Sequence, residues 1–283
     1  MDRFSRSAPL TINYISITGT PGIGKSVFYL YFLNKYRFEN PEMSVITASF
    51  GKSQDLTDCQ LFRPNGIVEK CRDTNGKPMI PEFDTVSWPK DIICDLYLYD
   101  GPPNQPPLHF KMIAFTSPNS TWLDAMRKEQ SHSRLYMPNW DLTELLHAQK
   151  SLGLNVDEEE IHRRYALFGG SPRYCLSMDD EYIKEGEEEI TKAIETIRGF
   201  NDLKKLFHGI ASEDKVVHCL MNYIPRENPR FADLVPASLS ISQRLRRQLD
   251  TRLTDMQQSL INGSKEASSF SDWLFEGFIH ERL

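Results

Sequence analysis

Gly19-Thr20-Pro21-Gly22-Ile23-Gly24-Lys25-Ser26 fits G-x-x-x-x-G-K-[ST], the pattern of a phosphate-binding P-loop. In front of it, Ile12-Asn13-Tyr14-Ile15-Ser16-Ile17 reads as a buried strand; behind it runs an apolar helical repeat. The glycines let the backbone curl so that successive N–H groups face phosphate oxygens, and the helix N-terminus adds partial positive charge. In such a loop Lys25 reaches the β- and γ-phosphates, the Ser26 hydroxyl ligates Mg²⁺, and Val27 closes the nucleotide-binding stretch. A glycine-rich turn ahead of an ordinary helix is the competing reading.

Working outward, Val27, Leu30, Tyr31, Phe32 and Leu33 predict a helix packed on a sheet and ending near Tyr36, before Asn40-Pro41. Ser44 to Phe50 predicts the next strand. Residues 51–90 are less regular. Gly66 to Arg72 and Lys77 to Ile80 flank Thr74-Asn75-Gly76, a hairpin signal read as a sheet edge, a partner surface or, more simply, a solvated decoration.

Ile92 to Asp100 is an apolar run ending in an acid and stopped by Gly101-Pro102-Pro103. That is the form of a Walker B strand, whose terminal Asp faces the P-loop metal. Asp100 is chosen over Asp95 because residues five apart on a strand face opposite sides, and Asp100 stands at the carboxyl end, where open α/β sheets bind ligands. His109 to Phe115 predicts another strand. In the Thr116-Ser117-Pro118-Asn119-Ser120 segment after it, Ser117 and Asn119 are candidates to sense the γ-phosphate and orient water; a capped turn before a Trp122–Lys128 helix explains them equally well. Arg134 to Pro138 reads as the last strand.

From Trp140 the pattern is helical. Asp141 and Asp157 are candidate N-caps, Gly169-Gly170 a helix stop, and Glu185 to Glu189 a solvated helix face. Ile224 to Pro236 separates two helical blocks. Leu245, Leu249, Leu253, Met256 and Leu260 then mark an amphipathic helix whose other face carries Arg244, Arg246, Arg247 and Arg252. A final helix holds Trp273, Leu274, Phe275, Phe278 and Ile279, an apolar surface that predicts a continuation or an intermolecular contact.

The 283 residues are 40% hydrophobic and 25% charged with a net charge of -6, so any nucleic-acid binding would need a local patch. No apolar run approaches the roughly 18 residues of a membrane span, and no signal-peptide core opens the chain. The five cysteines, Cys59, Cys71, Cys94, Cys175 and Cys219, contain no C-x-x-C pair, which suits an intracellular, reducing compartment.

Taken together, Gly19 to Ser26, Tyr97 to Asp100, Thr116 to Asn119, Tyr136 to Leu145, Tyr165 to Tyr174, Val235 to Ser238 and Phe275 to Leu283 resemble the NTPase module of Crinkler-type effectors and their relatives, the retrotransposon hot spot proteins. The resemblance spans nearly the whole chain. It implies an α/β P-loop NTPase of the additional-strand class (AAA/STAND-like) with a parallel sheet: a core over residues 1–139, a helical lid over 140–224, and a C-terminal helical region over 225–283 leading toward an effector or nuclease domain. It also implies Mg²⁺ and ATP (or GTP) as cofactors, Arg173 as a lid arginine on the γ-phosphate, and secretion followed by action in a host nucleus or cytoplasm. Self-association, DNA or a nuclear host protein would be the partners, with no membrane. One departure stands out: Gly101 occupies the place where many such enzymes carry a water-activating Glu. A nucleotide-dependent switch or scaffold with little hydrolysis, a DNA-binding module resting on Arg244, Arg246 and Arg247, and a small-molecule kinase are the alternatives.

Overall fold

A computed structural model of the chain describes residues 14–51, 53–81, 94–101, 111–118, 132–208 and 215–250. The chain divides into two units, Met1–Thr18 with Lys25–Leu135 and Gly19–Gly24 with Tyr136–Leu283. Among the described residues no helix is long and apolar enough to cross a membrane. Asn119, the Trp122–Lys128 helix and everything beyond Asp250 lie outside the described residues.

In the first unit, strands β1 (Tyr14–Thr18), β2 (Val45–Phe50), β3 (Leu56–Phe62), β4 (Val68–Lys70), β5 (Leu96–Asp100), β6 (Met112–Phe115) and β7 (His132–Tyr136) form a seven-stranded sheet in the order β4-β3-β2-β5-β6-β1-β7. It is mixed and mostly parallel: β1–β6, β5–β6 and β2–β5 run parallel, β2–β3 and β3–β4 antiparallel. The central strands are continuous apolar runs because both of their faces are covered; the first four residues of β5 are all buried.

Helix α1 (Lys25–Glu39) runs three residues past the predicted end at Tyr36, and the Asn40 amide still donates to the Tyr36 carbonyl at 2.9 Å. Its packed face differs from the expected one. Val27, Leu30 and Tyr31 are exposed, while Tyr29 and Leu33 are buried and the Phe28, Tyr29 and Phe32 rings pack on Phe115. Residues 27–33 are apolar all round, so their periodicity could not select a face; the tertiary fit of the rings to β6 does.

Residues 51–80 are more ordered than expected. β3 and β4 form an antiparallel hairpin around Arg63–Ile67, where the Asn65 side chain accepts from the Ile67 amide at 3.1 Å. The Asn75-Gly76 turn forms as well, its amides bonded to Asp73, but it is closed by the single bridge Arg72–Pro78. The segment is therefore a sheet edge.

At the opposite edge, His132 Nε2 lies 3.0 Å from Ser16 Oγ. Burial, aided by nearby Arg134, pushes the His132 imidazole down to about 4. Between pH 6.5 and 4 the unfolded chain therefore takes up a proton that the folded chain refuses, so stability is full above this window and falls as pH drops through it. The expected loss is about 1–2 kcal/mol once solvent screening of the partly exposed ring is allowed for. Urea midpoints at pH 7 and pH 5 check it; the acid loss should shrink in His132→Asn, and an unchanged loss would assign it to other groups.

In the second unit, helices α2 (Leu142–Leu152), α3 (Glu158–Phe168), α4 (Pro172–Cys175), α5 (Asp180–Glu195), α6 (Phe200–His208), α7 (Lys215–Leu220) and α8 (Leu239–Asp250) accompany a two-stranded sheet. Asp141 and Glu144 form a capping box on α2, whereas Asp157 holds the N-cap position of α3 without a side-chain hydrogen bond. Ile224 to Pro236 is not a simple spacer between helices. It contains most of the hairpin β8 (Met221–Pro225) and β9 (Ala232–Pro236), stabilised because Tyr223 and Leu234 pair across it and are buried. Phe168, Ile183, Ile190, Leu203, Leu220, Tyr223, Leu234, Ile241 and Leu245 share one core, so residues on both sides of position 225 fold together.

Candidate functional site

The stretch Gly19–Ser26 is continuous in the chain, but its parts are supported in different ways. Lys25 opens α1 and is only 8% exposed. Ser26 follows it, and its Oγ donates to Asp100 Oδ1 at 3.0 Å. Asp100 is the last residue of β5 and pairs in register with Ser49 on one side and Phe115 on the other. Strand alternation puts it on the same face as Phe115, against which α1 packs. Asp95 serves elsewhere, accepting from the Ser44 amide at 2.8 Å.

A hydroxyl that gives its proton to a carboxylate keeps its lone pairs for a cation. Ser26 and Asp100 are thus suited to a hard divalent ion such as Mg²⁺, which retains waters and takes one or two protein oxygens plus substrate phosphates. Among the described residues no group of three or more His, Cys, Asp or Glu side chains could hold a metal ion, and a phosphate-bound Mg²⁺ does not require one.

Gly101 follows Asp100 with φ at 98°, and a Cβ there would stand 3.1 Å from the Phe50 carbonyl oxygen and 3.2 Å from Phe50 Cβ. The positive φ and these tight approaches make any side chain at this position strained. Thr116 is buried, with its hydroxyl donating to the Ser117 carbonyl at 3.0 Å and its amide to the Ile17 carbonyl at 3.0 Å, while Ser117 itself is exposed.

The loop Gly19–Gly24 has its own set of partners within the second unit. Thr20 Oγ1 donates to Asn139 Oδ1 at 3.0 Å and accepts from the Tyr223 amide at 3.0 Å. Trp140 Nε1 donates to the Ile23 carbonyl at 3.0 Å, and the Arg173 amide to the Gly22 carbonyl at 3.3 Å. Ile23 is fully buried. Gly22 has φ at 87°, and a Cβ on it would meet Ser171 Oγ at 2.7 Å and Arg173 Cβ at 3.0 Å. This glycine admits α4 against the loop. Arg173 is exposed, so its backbone is anchored at Gly22 while its guanidinium is accessible.

Asn139, Trp140, Ser171 and Tyr223 were not singled out as loop partners from sequence. Asn139-Trp140 and Ser171 did fall in two of the blocks that carried the resemblance, but only the fold assigns them this role. Of the α8 arginines, Arg244 donates to Thr191 Oγ1 at 3.1 Å, Arg246 is half-buried and Arg247 is exposed. They do not form one evenly exposed basic patch.

Compared with known proteins, the chain matches no family model, no curated protein and no solved structure.

Proposed function

We propose that Gly19–Ser26 is the phosphate-binding loop of a Mg²⁺-dependent nucleoside triphosphatase of the additional-strand class, with ATP ahead of GTP as substrate. The observation that carries this reading is the 3.0 Å hydrogen bond from Ser26 to Asp100, which joins the two expected metal-binding side chains across 74 residues of sequence. Strand order supports the class: β6 intervenes between β1, which leads to the loop, and β5, which ends in Asp100.

In this mechanism the Lys25 ammonium and the loop amides oppose the charge that develops on the transferred phosphoryl group. Ser26 and Asp100 would hold the metal, which would supply positive charge to the phosphate oxygens. Arg173, anchored at Gly22, offers a further cation to a phosphate seated on the loop. By the sequence resemblance, the nucleotide cycle would regulate a Crinkler-type effector delivered to a host cell.

The test is multiple-turnover phosphate release from ATP and GTP by the wild-type chain, with Mg²⁺ and with EDTA. Mg²⁺-dependent release that saturates with nucleotide is the expected result; neither binding nor release would sink the proposal. Tight binding without turnover would instead identify a nucleotide-dependent switch, a reading favoured by glycine standing at position 101 with a backbone that disfavours a side chain.

A further inference from the structure

We propose that Cys59 and Cys71 are a disulfide-forming thiol pair, a site of reversible oxidation by a low-molecular-weight disulfide of the glutathione type. The proposal is independent of nucleotide binding.

The pairing follows from the β3–β4 register. Gln60 pairs with Lys70 and Leu61 with Glu69, so the antiparallel ladder continued by one residue sets Cys59 opposite Cys71. The Cys71 amide donates to the Cys59 carbonyl at 2.9 Å, which makes this a hydrogen-bonded pair. Such pairs hold their Cα atoms about 5.5 Å apart, inside the roughly 4.4–6.8 Å that a disulfide spans. Opposed residues project to the same face, and both cysteines are 1% exposed there.

The two facing thiols differ in acidity: the neighbouring Cys59 holds the Cys71 thiol below its ordinary value, while Cys71 and burial push Cys59 up, so Cys71 attacks first. The thiols of Cys94 and Cys175 are pushed up to about 12 by burial, and neither is suited to attack. Cys71 directly follows β4, the three-residue outermost strand, and its carbonyl also accepts from the Met79 amide at 3.1 Å, so attack requires local opening of this edge segment.

The exchange balances as follows. The Cys71 thiolate attacks one sulfur of glutathione disulfide, that S–S bond breaks, and one glutathione thiolate leaves. The Cys59 thiol passes its proton to the released thiolate and attacks the Cys71 sulfur, expelling the second glutathione thiolate. Two protein sulfurs are oxidised and one small disulfide is reduced.

The experiment equilibrates the folded full chain across a series of reduced-to-oxidised glutathione ratios, quenches with acid, alkylates and maps peptides by mass spectrometry. Free thiols should fall from five to three, with Cys59 and Cys71 cross-linked, and dithiothreitol should restore all five. Cys59→Ser should stop at a glutathione adduct on Cys71, while Cys71→Ser should form no intramolecular link. The wild-type map decides the question even if a variant folds poorly. Five free thiols at the most oxidising ratio, a link between other cysteines, or a link that forms only in urea would each overturn the proposal.

Discussion

Lys25→Ala is expected to eliminate nucleotide binding at micromolar nucleotide, and phosphate release with it. Lys25 is 8% exposed at the first residue of α1, where the loop amides and the helix terminus would favour an anion. Removing one partner of a buried, hydrogen-bonded charge pair costs about 2–5 kcal/mol, which weakens affinity roughly 30-fold to several-thousand-fold. Titration of a fluorescent ATP analogue measures the loss, and circular dichroism with a thermal scan verifies that the variant is folded. Wild-type affinity in a folded Lys25→Ala protein would refute the P-loop assignment, whatever the turnover data showed.

The second large effect is expected at Asp100. Asp100→Ala should lower Mg²⁺-dependent phosphate release by about 2–3 orders of magnitude, the scale seen when one charge-stabilising group is removed from a phosphoryl- or acyl-transfer site. Nucleotide binding in EDTA should change little, because the amides and Lys25 are intact. Asp100→Asn separates charge from hydrogen bonding: its amide oxygen can still accept from Ser26, but it no longer carries the charge that favours a cation. It should turn over as poorly as the alanine variant. Asn activity near wild type would show that the carboxylate charge is not used. Neither variant should lose much stability, since the Ser26–Asp100 bond is exposed and a hydrogen bond contributes about 0.5–1.5 kcal/mol net.

Gly101 bears on how fast any such turnover would be. Its backbone at φ 98° and its tight approach to Phe50 disfavour any side chain there. Restoring a glutamate at this position would strain the strand end instead of supplying a base.

The strands were legible where burial on both faces imposes a continuous apolar run, as at Leu96 to Tyr99, and the α2 capping box was legible in part through Asp141. Asp100 could be chosen over Asp95 because strand alternation is a strictly local property. The hairpins were harder. Leu56 to Phe62 mixes apolar and polar residues, as expected of a strand nearer the sheet edge, and its Asn65-Gly66 turn was an available signal that the Asn75-Gly76 turn overshadowed. β8 and β9 were masked by prolines at 225 and 236, which sit at the strand ends and leave the central rungs intact.

By itself the amino-acid sequence determined the loop, its lysine and serine, and the strand ending in Asp100, because glycine spacing and apolar runs act over a few neighbouring residues. Tertiary structure alone decided which face of α1 is buried, that Ser26 and Asp100 meet, and that Thr20 is tied to Asn139 and Tyr223. Each of those depends on long-range register and ring packing, which bring together groups whose separation in the chain carries no local signal.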